Sequence, residues 1–546
     1  MDLPALAGER SYRPVIAGRR GAVASNHPLA TQAGLLVLQA GGSAADAAVA
    51  VALTLGVVEP FMSGIGGDGF YHAWRRSDGA AVVVNATGAA PTGATPERFA
   101  DGLPLAGPLS VSTPGLVGGL GELHRWGGRL PWPSLFEAAI HYAREGFGAT
   151  PIYRRFTAQA MDWLRADARS AGTFLPGGGL PPIGTVIRQP ELARTLEAVA
   201  GAGADAFYRG PLGRTVADAL AAAGTLVTAG DFAANAPELQ APIESTYRGH
   251  VVRQSPPNSV GWVLLQELNL VEGWDLAALD PLSADAIHLL VEAKRLAFAD
   301  REAHAGDPRH VPIALDRLLD KGYARRRAAG IDPNRAAAHP ATPGLAAPAA
   351  STETTYFCVV DAEGNAVSGI QSLNNTYGSG VTAGDTGILL NNRITPFHLE
   401  PGHPNRIAPG RRVRHTMNTP MVFRDGELVC VFGTPGGDNQ VQVNLQALVM
   451  LLDHGWDPQR VAEAPRWAHT DPGQLADYPH TGEGELRLES RFGPGVAAEL
   501  ARRGHPVVEI GPLEGPCSLE IIVRDPATGM LLAGSDPRRD GWALAW

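Results

Sequence analysis

Two threonines, Thr354 and Thr355, stand where an uncharged Ala/Pro/Gly run, residues 336–351, gives way to a β-branched and aromatic stretch ending at Val360. Threonine at the start of a strand fits ordinary β propensity. It also fits a chemistry. If the chain is cut between Glu353 and Thr354, the threonine becomes a new N-terminus. Its hydroxyl is then a nucleophile, and its own α-amine, of reference pKa about 7.7–8.0, can take the proton near neutral pH. After Val360 the chain turns through Asp361-Ala362-Glu363-Gly364-Asn365 and returns from Ala366 to Leu373, which predicts a hairpin. Pairing Val360 with Ala366 sets Ser372 opposite Thr354 with Asn374 just beyond, whereas a slip of one sets Leu373 there. Acyl chemistry further needs donors for a developing oxyanion. Thr434-Pro435-Gly436-Gly437-Asp438-Asn439 leads into an apolar helix predicted over about 440–454, so Gly436 and Gly437 can bring backbone N–H groups close to a ligand. A tight turn with an Asp/Asn cap accounts for the same residues.

Other chemistries lack their motifs. Gly64-Ile65-Gly66-Gly67-Asp68-Gly69 matches GxGxxG, but a dinucleotide site needs a strand before it and a helix after it, and here a helical segment precedes and a strand follows. The motif reads as a turn where backbones pack closely. GxSxG, SxxK, HExxH and Walker sequences are missing, and lysine occurs only at Lys294 and Lys321, so a lysine nucleophile has few candidates. His304, Asp307 and His310 read as a solvated helix end because they lack ligand spacing. Cys358, Cys430 and Cys517 are an odd set without CxxC spacing and read as buried thiols. No metal and no cofactor is expected.

The elements that must position these residues follow from periodicity. Helices are predicted over 31–39, 44–55 and about 283–304, the last with Ser283 as N-cap and Ile287, Leu290, Val291 and Phe298 on one face. A strand pair is predicted over 70–74 and 81–85. The run at 336–353 reads as an exposed linker. The chain of 546 residues is 45% hydrophobic and 18% charged, which supports a large core and excludes disorder as a whole. Its net charge of −10 argues against nucleic acid or an anionic membrane as partner. The most apolar stretch, 44–58, is too short for a membrane span and carries Asp46. The first 20 residues lack a secretory h-region, so a cytoplasmic location is expected.

Taken in order, these segments resemble the γ-glutamyltranspeptidase family of N-terminal nucleophile hydrolases over nearly the whole chain. The carriers include ASNHPLAT from Ala24, GGSAADAAVA from Gly41, PFMSGIGGDGF from Pro60, GPLSVSTPG from Gly107 and ADREAHAGDP from Ala299. They continue with TTYFCVVDAEGNAVS from Thr354, YGSGVTAGDTGILLNN from Tyr377, TPGGDN from Thr434 and GSDPRRDG from Gly534. The resemblance implies an α+β fold, a four-layer αββα sandwich, made as one inactive chain and cut autocatalytically into a large subunit, 1–353, and a small subunit, 354–546. By position Thr354 matches the nucleophile, Ser372 the hydroxyl residue that contacts it, Asn374 a substrate-pocket asparagine, and Gly436 and Gly437 the oxyanion-hole glycines. The implied reaction runs through an acyl-enzyme resolved by water or an acceptor amine.

Departures fall where the family recognises glutamate. Thr87 occupies the place of the arginine that binds the α-carboxylate, and Arg98 is the nearest arginine after it. Pro396 stands for the aspartate that binds the α-amino group, His415-Thr416 stand for a serine pair, and the lid segment between Pro404 and Arg411 is short. Losing opposed charges removes the ion pairs that single out a glutamyl group. Arg393, Arg412, Arg414 and His415 predict instead a basic pocket for an acidic acyl group such as a dicarboxylic or α-keto acid. A γ-glutamyltransferase with a rearranged clamp, a carbon–carbon-cleaving relative in antibiotic biosynthesis and a ligand-binding pseudoenzyme are the alternatives. Expected partners are a small-molecule amide, the two subunits of one precursor and, as one assembly, a homodimer of heterodimers.

Overall fold

The predicted hairpin forms, as Thr352–Val360 and Ala366–Asn375, at the centre of a seven-stranded sheet. A computed structural model describes residues 11–337, 352–525 and 527–546, so most of the expected linker lies outside the described residues. The hairpin sheet runs, edge to edge, Trp542–Ala545, Ala22–Ser25, Thr352–Val360, Ala366–Asn375, Asp68–Trp74, Ala81–Ala86, Glu238–Gln240. The second sheet, also seven-stranded, runs Ile16–Gly18, Leu531–Ser535, Glu520–Arg524, Glu427–Gly433, Met421–Arg424, His250–Gln254, Ile243–Tyr247. Both contain strands from either side of residue 353, so the two predicted subunits interleave.

Apolar alternation explains how the sheets sit. Phe70, Tyr356, Cys358 and Ile370 from the hairpin sheet share one buried cluster with Met421, Val431, Ile522 and Ala533 from the second. The opposite face of the hairpin sheet shares a core with the Ala44–Val58 helix, and that of the second sheet shares one with the Gly261–Val271, Ala284–His304 and Asn439–Leu452 helices. Every residue of Ala44–Val58 is buried, which small alanines permit. Its Asp46 is the N3 carboxylate of a capping box with Ser43 and also accepts from the Arg129 amide at 2.8 Å, so the charge satisfies orphan donors. Among the described residues no helix is long and apolar enough to cross a membrane.

The Ala284–His304 helix starts at the Ser283 cap as predicted, and its four apolar positions are buried. Gly66 and Gly67 sit between a helix and a strand as read: a Cβ on Gly67 would overlap the carbonyl oxygen of Ser372. The three cysteines are buried. One detail differs. Asp307 is buried rather than solvated, because its carboxylate accepts from the Arg412 amide at 2.8 Å as well as from Arg309.

Candidate active site

Pairing along the hairpin is regular from Val360↔Ala366 to Thr355↔Gln371, and then Glu353 pairs with Asn374. Two residues, Ser372 and Leu373, therefore oppose the single residue Thr354: the hairpin carries a β-bulge at Thr354. Both registers open from the sequence meet there. The Leu373 amide turns away to the Met62 carbonyl at 3.0 Å, and the Ser372 hydroxyl lies 3.4 Å from the Thr354 hydroxyl in a buried setting. Ser372 Oγ also accepts from the Asn374 amide at 2.8 Å, and Asn374 has φ +87°, a conformation a non-glycine residue adopts only under outside constraint. Arg539 donates to the Thr354 carbonyl at 3.1 Å, which holds the strand end from the C-terminal side. Replacing Ser372 by alanine removes both hydroxyl contacts. The expected cost is about 10- to 100-fold in turnover, as for one hydrogen bond near a developing charge, measured by steady-state kinetics against wild type.

Side chains beyond the hairpin form a continuous chain of contacts. Arg393 Nη1 donates to Asn374 Oδ1 at 2.5 Å, and Arg393 Nε faces Asp68 Oδ2 at 3.5 Å. Asp68 accepts from the Gly88 amide at 3.0 Å and faces His415 Nε2 at 3.4 Å. Thr354, Ser372, Asn374, Arg393, Asp68 and His415 thus belong to one buried polar network. Burial, with Arg393 beside it, pushes the His415 imidazole down to about 4, so it is neutral near pH 7. Arg393 is lowered by burial only to about 10 and keeps its charge.

The remaining basic residues are placed differently from the predicted pocket. Arg412 Nη1 meets Glu238 at 2.7 Å and Arg414 Nη1 meets Glu302 at 2.9 Å, so carboxylates from the first 353 residues offset both charges. Arg301 also binds Glu302 and reaches Asp438, and these two arginines hold the Glu302 carboxyl well below its usual range despite burial. Thr416 is buried beside His415, and its carbonyl accepts from Asn418 Nδ2 at 3.2 Å. Thr87 donates to Asn85 Oδ1 at 2.7 Å, Arg98 is exposed on a short 3-10 turn, and the Pro396 carbonyl accepts from Asn405.

Asp477 was not singled out by any motif. Its Oδ1 accepts from Asn374 Nδ2 at 3.1 Å, so Asn374 is held from one end by Asp477 and from the other by Arg393. Burial raises its carboxyl to about 6, against the lowering effects of Asn374 and Arg393. Among the described residues Nη2 of Arg393 is buried without a hydrogen-bond partner.

Gly436 and Gly437 follow the Glu427–Gly433 strand of the second sheet and precede the Asn439–Leu452 helix, with φ of +115° and +57°. The Asn439 and Gln440 amides bond back to their carbonyls at 3.0 and 3.1 Å, which closes the loop as a turn leading into the helix. Gly433 packs on the ring of Tyr356, two residues after Thr354. The sheet-to-sheet contact therefore brings the glycine loop to the strand that bears the threonine.

Comparison with known proteins places the chain in a family. The Gamma-glutamyltranspeptidase family model matches residues 30–546. The chain belongs to that family. It is 37% identical to the glutathione hydrolase-like YwrD proenzyme of Bacillus subtilis over 97% of this chain and 99% of that one. It is 35% identical to the oxamate amidohydrolase proenzyme of Klebsiella pneumoniae, over 96% of this chain and 98% of that one. Among solved structures, a cephalosporin acylase from Bacillus halodurans superposes with TM-score 0.89 at 34% identity, covering 100% of this chain and 99% of the other. As a gamma-glutamyltranspeptidase-family protein the chain is an enzyme of the hydrolase and transferase kind, and its fold is that of the family's mixed helix-and-sheet structures.

Proposed function

We propose that this family member is a precursor cut between Glu353 and Thr354, and that Thr354 of the 354–546 subunit is the nucleophile of an amidohydrolase or acyltransferase. The observation that carries the reading is the bulge that sets the Thr354 and Ser372 hydroxyls 3.4 Å apart in a buried site. In cleavage, Thr354 Oγ attacks the Glu353 carbonyl carbon, the C–N bond breaks, and the hydroxyl proton goes to nitrogen. That shift frees the α-amine, and water then hydrolyses the resulting ester, which releases the Glu353 carboxylate and restores the Thr354 hydroxyl. In turnover that amine takes the Oγ proton as Oγ attacks the substrate carbonyl, the Gly436 and Gly437 N–H groups stabilise the oxyanion, and the leaving amine receives the proton. Water or an acceptor amine resolves the acyl-enzyme. The three apolar cores support an αββα order of layers for the assembled subunits, and the −10 charge supports solubility.

The acyl group is acidic and is read chiefly by Arg393, which faces Asp68 but also donates to Asn374 beside Ser372, whereas Arg412 and Arg414 bind Glu238 and Glu302. The oxamate and cephalosporin activities named for relatives support a branch that is not restricted to γ-glutamyl groups. Turnover of a γ-glutamyl anilide beside dicarboxylic and α-keto amides tests this: selective γ-glutamyl turnover overturns it.

Asp477 favours a second reading, in which Arg393 takes a carboxylate and Asp477 an ammonium on the same acyl group, a rearranged clamp. The pH dependence separates the two. An ammonium reader must be ionised, so kcat/KM for an amino-acyl substrate falls as pH drops through about 6, where Asp477 gains its proton. Asp477→Asn removes that additional fall for the amino-acyl substrate, leaves the limb set by the Thr354 α-amine, and leaves the profile of a plain dicarboxylic amide unchanged.

A further inference from the structure

Away from the catalytic network, two buried histidines and a buried glutamate meet across the line between the two proposed subunits. His288 and Glu292 lie one turn apart on the Ala284–His304 helix and so share a face. His505 follows the Val496–Arg502 helix of the small subunit. His288 Nδ1 and His505 Nε2 are 2.8 Å apart, and one ligand atom from each of the three residues lies within 4.8 Å of the others. We propose that His288, Glu292 and His505 bind a divalent transition metal, best matched by zinc, and so clamp the large subunit to the small one.

The donor set is two imidazole nitrogens and a carboxylate, which suits zinc and leaves a fourth tetrahedral position for water. The orientation of His288 supports it. Its Nε2 is 2.8 Å from the Asp332 carbonyl, so in the neutral ring Nε2 carries the proton and the Nδ1 lone pair faces His505. Backbone carbonyls orient metal-ligating histidines in this way. In the metal-free chain the His505 Nε2–H supplies the proton of the N···N contact. On metal binding His505 takes its other neutral tautomer, so both nitrogens become donors to the ion without loss of a proton from the protein. Zinc–nitrogen bonds of about 2.0–2.1 Å at a tetrahedral angle require the two nitrogens to open by about half an ångström, within reach of side-chain torsions.

Charge is compatible. Arg295 Nη1 donates to Glu292 Oε1 at 2.8 Å, but Arg295 Nε also faces Asp471 Oδ1 at 3.4 Å, so Glu292 does not have to neutralise the guanidinium alone. The place also has a use. The Ala337 amide donates to Glu292 Oε2 at 3.2 Å and the Ala336 amide to the Arg503 carbonyl at 2.8 Å, so the segment leading toward the cleavage site is laid over this cluster. The clamping role rests on the cleavage proposed above, whereas metal binding does not.

The test uses tag-free full chain, both cleaved wild type and uncut Thr354→Ala, stripped with chelator and titrated with Zn2+, then with Co2+ as the spectroscopic probe. Expected in both forms is one equivalent bound with Kd tighter than about 1 µM, within the range of structural zinc sites. Co2+ should show the visible bands of a tetrahedral site and two hyperfine-shifted, exchangeable imidazole N–H resonances, one per histidine. His288→Gln and His505→Gln each weaken binding by more than about 100-fold, and Glu292→Gln by about 10-fold or more, as expected for loss of ligands whose supporting groups alone are worth about 10–100-fold. The N–H resonances report on wild type and need no variant to fold. Absence of stoichiometric binding, binding that survives His505→Gln, or a cobalt site without shifted imidazole protons overturns the proposal. A metal bound equally by the uncut chain, with no cleavage found in wild type, removes only the clamping role.

Discussion

Thr354→Ala should remain one polypeptide of 57.2 kDa on a denaturing gel and turn over no amide substrate. Loss of a covalent nucleophile removes about 10^4- to 10^6-fold of rate where related constellations have been dissected, and here it removes the cut that creates the catalytic amine as well. Thr355 cannot stand in. Successive strand residues point to opposite faces, and the Thr355 hydroxyl is committed to Glu59 Oε2 at 2.6 Å. Thr354→Ser keeps an oxygen in place and should be cut, though more slowly, with turnover restored in part. The ordering wild type, serine, alanine in both cleavage and turnover separates a nucleophile from a residue that merely packs at the bulge, for which serine and alanine would behave alike.

Gly436→Ala should lower kcat by about 100- to 1,000-fold, the loss typical of one displaced oxyanion donor. Two physical terms act together. At φ +115° any L side chain is strained, and the added Cβ would overlap Cys517 Sγ, so the loop must move and carry its N–H groups out of line. Cys517 is itself buried at φ +77°, which ties it into the same loop contact. The double variant Gly436→Ala with Cys517→Ala should recover part of the loss, because the overlap is relieved while the backbone strain stays. A KM that rises with kcat unchanged would place these glycines in substrate binding rather than in oxyanion stabilisation. Stopped-flow measurement of acylation with an anilide substrate distinguishes the two.

The hairpin was legible because Asp361 to Asn365 is a strong turn signal and the flanking residues alternate. Its bulge was not: register arithmetic assumes a constant sum of paired indices, and that constancy fails at Thr354, where Glu353 pairs with Asn374. Backbone contacts from Met62 and Asp68, hundreds of residues earlier, hold the extra residue out of register. The arginine cluster after Thr354 was legible as charge but not as field. Whether Arg412 and Arg414 are available depends on Glu238 and Glu302, which approach only in the folded chain. Asp68 was visible within its glycine-rich motif, where it read as part of a turn; its role beside Arg393 and His415 follows from strand pairing of Ser372 with Asp68. Asp477 sits in a segment with no periodicity or motif, so sequence offered no signal for it. The Ala284–His304 helix shows the reverse case, since its cap and apolar face are local properties and came through unchanged.

Intact mass and N-terminal sequencing of the purified wild-type protein bear most directly on the central claim. The expected result is two fragments, one of residues 354–546 whose first residue is Thr354 and one ending at Glu353, appearing without added protease. A persistent 57.2 kDa chain, or a small fragment that begins at any other residue, would contradict Thr354 as the nucleophile.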